Sequence, residues 1–235
     1  MLAIYKRELR SYFTGVIGYV FLVIYLAVAG LIFSYSTLFS MSADVTTYFS
    51  AMLLFSAVTL PLLTMKSFSE ERKMKTEQLL LTSPVSITGM VMGKVLASYT
   101  VYAAAEVFSS LYFLFLIPYA RLQFATLLGN VIAMLLVGLV FISVGVFVSS
   151  LTENQLTAAI GTIAILLAFF GVGLLSSLLP SAFWLRYILD TFSVFSRFQG
   201  FTNGYFEISA VFYYISISAL FIYLTVRVFD RRRYN

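Results

Sequence analysis

Ionisable residues are so sparse in this chain that they divide it into uncharged stretches long enough to cross a bilayer: residues 11–43, 45–65, 122–152, 154–185 and 208–226. A sixth stretch, between Lys94 and Arg121, is interrupted by Glu106 alone. A hydrocarbon core of ~30 Å is crossed by ~20 helical residues, and inside it each segment must satisfy its own backbone polar groups. The spacing predicts an all-α polytopic membrane protein with six spans, near residues 16–38, 47–65, 95–117, 127–151, 158–179 and 208–226. Composition agrees: 61% of residues are hydrophobic and 11% charged, against ~45–50% and ~25% in soluble domains. The first apolar stretch follows a basic start as a signal peptide would, but it is too long and shows no small-residue cleavage site, so it is expected to remain as a helix. Residues 1–235 read as a single transmembrane domain.

Lys and Arg set the expected orientation. With the amino terminus inside, the inner segments hold Lys6, Arg7, Arg10, Lys66, Arg72, Lys73, Lys75, Lys94, Arg227, Arg231, Arg232 and Arg233, and the outer ones only Arg121, Arg186 and Arg197. Both termini are expected in the cytoplasm. The net charge of +5 thus follows membrane sidedness, and no nucleic-acid partner is expected.

The chain has no Cys and no His, which removes thiol nucleophiles, thiolate metal sites and imidazole bases. No carboxylate pair or nucleophile with a base is evident, and there is no G-x-x-x-x-G-K-[ST] phosphate loop. No catalytic, metal-binding or cofactor-binding residue is expected.

Four segments carry the remaining information. In residues 1–14, Leu2, Tyr5, Leu9, Tyr12 and Phe13 share a helical face with Lys6, Arg7 and Arg10 elsewhere, the pattern of an interfacial helix. It serves either as an anchor or also as the frame of a docking surface. In residues 66–94, Ser67-x-x-Glu70 fits a capping box, Pro84 halts a helix, and Glu71 with Lys75 and Lys73 with Glu77 stand at i, i+4 spacing. This describes a short polar helix ending in Leu79, Leu80 and Leu81, either a solvated connector or an element that presses on a soluble partner. Glu106 is the one ionisable residue near mid-membrane, with Tyr102, Ser109 and Ser110 placed to hydrogen-bond it; contact with a polar substrate group or proton coupling are the alternatives. In the fifth span Thr157, Gly161, Ala164, Ala168 and Gly171 form a stripe of small residues, for packing within the chain or between two chains.

The run Phe68-Ser69-Glu70-Glu71-Arg72, then Thr76-Glu77-Gln78-Leu79-Leu80, Ser83-Pro84-Val85-Ser86 and Gly93-Lys94 resembles the cytoplasmic signature of type 2 ABC transporter permeases. The start, Lys6-Arg7-Glu8-Leu9-Arg10-Ser11-Tyr12-Phe13, and the run Arg197-Phe198-x-x-Phe201-x-x-Gly204 are similar to permeases of the gliding-motility type. Lys75 stands where such permeases commonly carry Gly, and Arg197 where they more often carry His. The resemblance implies a permease subunit, as an exporter in the cell (inner) membrane, with residues 66–94 holding a coupling helix that seats in a separate ABC ATPase subunit. Glu70, Glu71, Arg72, Thr76, Glu77, Leu80 and Pro84 fall on that segment. It also implies a second permease protomer, ATP and Mg held by the partner rather than by this chain, and an outer segment, 180–207, dipping into the bilayer; composition alone equally permits a surface loop there. An ATP-independent secondary transporter or channel is the alternative, and an intramembrane enzyme acting on lipid is a third reading.

Overall fold

The apolar stretches are helical in the computed structural model, which describes residues 1–40, 45–78, 85–119, 123–178, 184, 193–202 and 207–234. Among these, α1 covers Leu2–Thr14, α2 Ile17–Phe33, α3 Val45–Thr64, α4 Lys66–Lys73, α5 Ile87–Ser110, α6 Phe124–Leu151, α7 Gln155–Leu178, α8 Val194–Thr202 and α9 Ile208–Tyr234. A π-helical turn, Ser34–Phe39, extends α2, and a 3₁₀ turn, Leu111–Leu116, extends α5. Six helices are long and apolar enough to span: Ile17–Phe39, Val45–Lys73, Ile87–Leu116, Phe124–Leu151, Gln155–Gly173 and Ile208–Arg233. The chain is a multi-pass membrane protein.

Helix α6 is the axis of the bundle. It packs against α3, α4, α5, α7, α8 and α9, and 67% of its apolar window is buried, against 22% for the last span. Two glycines explain the close packing. A Cβ at Gly138 would come within 1.9 Å of the Tyr102 ring, and one at Gly145 within 2.1 Å of Thr64 Oγ1. Tyr102 of α5 is thereby drawn against α6, where its hydroxyl donates to the Met134 carbonyl at 2.9 Å. Dispersion among such interdigitated groups holds helices together where no hydrophobic effect acts between them.

The third span begins earlier than the apolar count suggests. Ser86 caps α5 by accepting from the Gly89 amide at 3.2 Å, so the helix starts at Ile87 and carries Lys94 inside it rather than ahead of it. Arg7 on α1 meets Glu71, and Arg232 near the end of α9 meets Glu77. Both ends of the chain therefore lie at the same end of the bundle as residues 66–78, the end rich in Lys and Arg. Of the outer segment 180–207, the described parts are outward-facing Trp184, Ser193 with helix α8, and Glu207; the rest of that expectation lies outside the described residues.

Gly138→Ala should lower stability by about 1–3 kcal/mol through overpacking against Tyr102. Gly171→Ala, where an added Cβ meets nothing within 4 Å, should leave the isolated chain at least as stable. Thermal melts of the two purified variants in detergent check the contrast.

Candidate coupling site

Helix α4 follows the second span after a single intervening residue, Met65, whose amide still reaches the Pro61 carbonyl at 2.9 Å. A helix that restarts this abruptly leaves first-turn amides without intrahelical acceptors. Ser149 of α6 supplies one: its hydroxyl accepts from the Phe68 amide at 3.0 Å and the Ser69 amide at 3.1 Å, and donates to the Met65 carbonyl at 3.0 Å. The capping box expected at Ser67 and Glu70 does not form. Ser67 is a buried residue inside the first turn, because the chain arrives already helical and no extended residue precedes it.

The far end of α4 closes in a Schellman arrangement. The Lys75 amide bonds the Arg72 carbonyl at 3.1 Å and the Thr76 amide the Glu71 carbonyl at 2.9 Å, with Lys75 at φ 57°, the only left-handed non-glycine residue among those described. That backbone favours glycine, so Lys75 holds the turn at a cost in strain. It also overturns the expected Glu71–Lys75 and Lys73–Glu77 pairs. The helix ends at Lys73, so i, i+4 register is lost, and the carboxylates turn elsewhere.

Glu71 turns into the protein. Its carboxylate lies 2.9 Å from Lys94 Nζ and 2.9 Å from Arg7. Lys94, only 2% exposed, also reaches Glu8 at 3.1 Å and the Ser67 carbonyl at 2.6 Å, with its ammonium 4.8 Å from the centre of the Phe68 ring. Three helices, α1, α4 and α5, are fastened at this one cation. The face of α1 turned inward follows from it: Ile4, Tyr5, Glu8, Leu9 and Tyr12, with Tyr12 bonded to Ser98 at 2.8 Å and to the Leu63 carbonyl at 3.2 Å. Leu2 and Phe13, expected on that face, point outward. Gly93 lets α1 approach, since a Cβ there would stand 3.1 Å from Ile4.

Two arginines close the opposite side. Arg72 donates to the Leu151 carbonyl at 2.9 Å and pairs with Glu153 at 3.0 Å. Arg232 donates to the Ser150 carbonyl at 2.7 Å and pairs with Glu77 at 3.0 Å. The last carbonyls of α6 thus receive two guanidinium groups where the helix dipole favours positive charge. Glu70 is the member of the group that faces out, 3.9 Å from Lys66. A cleft of about 640 Å³ between α1 and α4 is lined by Arg7, Lys66, Glu70, Met74 and Thr76 among others. Leu80 and Pro84 lie outside the described residues.

Within the spans, Glu106 is fully buried, but its partner is not Tyr102. Tyr25 of the first span donates to Glu106 Oε2 at 2.5 Å, while Tyr102 bonds Met134, and Ser109 and Ser110 bond backbone carbonyls of their own helix. The small-residue stripe divides. Gly161 faces Val148 of α6, where a Cβ would stand at 3.2 Å; Ala164 and Ala168 face outward, and Gly171 has open space beside it.

Residues 2–232 match the family described as ABC-2 family transporter protein. The chain belongs to the ABC-2 transporter family. The match is to the family as a whole rather than to its gliding-motility subgroup, and no curated protein matches the chain. Family membership makes this ABC-2 chain a permease component of an ABC transporter, a class of membrane subunit that works with an ABC ATPase.

Removing one member of a buried ion cluster leaves the others uncompensated, at a cost of about 3–5 kcal/mol. Lys94→Met in this permease should therefore be strongly destabilised, and adding Glu71→Gln and Glu8→Gln should restore part of the loss; denaturation in detergent measures both. Lys75→Gly should stabilise the chain by about 0.5–1 kcal/mol by relieving the left-handed strain, seen as a higher melting temperature.

Proposed function

We propose that this chain is the membrane half of an ABC exporter, with two such halves forming the translocation path and a separate ATPase subunit acting on residues 66–78. The observation that carries this reading is the seating of α4. It is a polar helix at the basic end of the bundle, continuous with the second span, capped by the fourth span through Ser149 and joined to the N-terminal helix and third span through Lys94. Arg232 ties the residues just beyond it to the last span. A helix tied to that many elements is suited to passing a push from a soluble partner into the spans, and its solvent-facing Glu70 and Lys73 offer the charge for register.

The distribution of Lys and Arg supports cytoplasmic termini and an inner-membrane location. ATP and Mg would be held by the partner. Family resemblance supplies the exporter direction, and the outward Ala164, Ala168 and Gly171 offer a face on which a second protomer can approach closely.

The test is co-purification with a P-loop ATPase encoded beside this chain, followed by vanadate-sensitive ATP hydrolysis in proteoliposomes. Glu70→Lys should lower ATPase retention or stimulation by about tenfold without altering the melting temperature, since reversing a charge at an interface places like charges together. Glu71→Lys should instead fail at the level of folding, because Glu71 is inside the Lys94 cluster. Transport by this chain alone, without ATP, would refute the proposal in favour of a secondary transporter.

A further inference from the structure

The last helix carries a feature that neither the coupling site nor the path absorbs. On α9, Leu220, Tyr223 and Leu224 face outward, and Arg227 and Arg231 follow on the same side at one-turn spacing. A groove of about 740 Å³ runs between this face and α6, lined by Phe147, Leu224 and Val228 together with Arg227, Arg231 and Asp230. Its floor is firm, because Phe147 packs on Phe221 with ring centres 5.6 Å apart. Arg227 is held in place: Nε donates to the Tyr223 hydroxyl at 2.7 Å, and the guanidinium lies 5.2 Å from the centre of the same ring. Using Nε in this way leaves the paired Nη atoms as the fork that phosphate oxygens fit. The neighbouring Arg232 is turned inward to Glu77 and Ser150, so the groove is a distinct use of this arginine-rich terminus.

We propose that this groove binds one anionic phospholipid of the surrounding bilayer. Its phosphodiester lies between Arg227 and Arg231, and an acyl chain runs along Leu224 and Leu220. Two cations against the single carboxylate of Asp230 select a lipid of net negative charge over a zwitterionic one. Continuity with an outward apolar face selects a lipid over free phosphate or an acidic protein. Basic grooves beside spanning helices at the positively charged end are a recurring form of headgroup site. The inference rests only on the chain spanning a bilayer and is independent of the ATPase.

The experiment uses the purified full chain in detergent, with native mass spectrometry and thermal melts in the presence of phosphatidylglycerol, phosphatidylcholine or inorganic phosphate. Phosphatidylglycerol should remain bound and raise the melting temperature, and the other two should not. The Arg227→Gln/Arg231→Gln variant should retain one phosphatidylglycerol fewer and bind it about thirtyfold more weakly, whereas Arg10→Gln on the opposite terminus should leave this site unchanged. Tyr223→Phe keeps every charge and loses only the hold on Arg227, so it should weaken the lipid several-fold. Equal retention of phosphatidylglycerol and phosphatidylcholine, or an unchanged lipid count in the double variant, would overturn the proposal. So would an unaltered affinity in Tyr223→Phe, or loss of the ATPase partner from the double variant with lipid binding intact, which would assign the surface to a protein contact.

Discussion

The ammonium of Lys94 governs the basic end of this protein. Burying a lone cation costs several kcal/mol even after relaxation, and Lys94 is 2% exposed. It is tolerable because a carboxylate from α1 and a carboxylate, a carbonyl and an aromatic face from α4 all meet it. Those groups come from different helices, so satisfying the cation decides how the helices lie. Glu8 has to turn α1 inward along α5, and Glu71 has to turn α4 back toward the bundle rather than into solvent. Phe68, beneath the ammonium, packs on Phe229 with ring centres 4.5 Å apart, which carries the same arrangement across to the last helix.

From that fixed point the connections of α4 follow in order. Its first amides are closed by Ser149 and its last carbonyls by the turn through Lys75. Arg72 and Arg232 then fasten this region to the end of α6. Because α6 is the most buried span, a displacement of α4 cannot be absorbed locally; close-packed interiors transmit strain. Under the proposed coupling, the second and fourth spans are thus the first to receive force, and the last span follows through Arg232. Helix α7, with its outward small residues, is linked to this end mainly through its packing on α6 and α3.

How much of this was legible in the sequence depends on the range of the interaction. The spans were legible because bilayer thickness imposes a length on every apolar run, and the six observed helices fall where the uncharged stretches lie. The charged segment after the second span was legible for the same reason. What composition could not show were partners far along the chain. Ser149 is one hydroxyl in an apolar run, 81 residues from the amide it caps, and nothing local distinguishes it from other serines in spans. Helical spacing suggested Tyr102 for Glu106, yet the bond comes from Tyr25, also 81 residues away. The i, i+4 pairs in 66–78 failed because periodicity assumes a continuous helix, and the left-handed Lys75 ends it. A charge usually marks the boundary of a span, which puts Lys94 ahead of the third span by composition; the Ser86 cap, which sets the true start, is a local signal in the same sequence.

Glu106 and Lys94 show how depth decides what a buried charge can become. Lys94 is close enough to the basic end for Glu8 and Glu71 to reach it, so it is paired with opposite charge and serves to join helices. Glu106 sits among Tyr25, Ser56 and Tyr102, where the group that meets it is a neutral phenol. A phenol satisfies one oxygen of a carboxyl group, and Glu106 Oε1 has no hydrogen-bond partner among the described residues. A carboxyl group held by a neutral donor from the first span fixes the spacing of the first and third spans without requiring a counter-charge inside the membrane. The two residues therefore divide the work of alignment. Lys94 sets the helices at the end where α4 lies, and Glu106 keeps the first and third spans together deeper in the bundle.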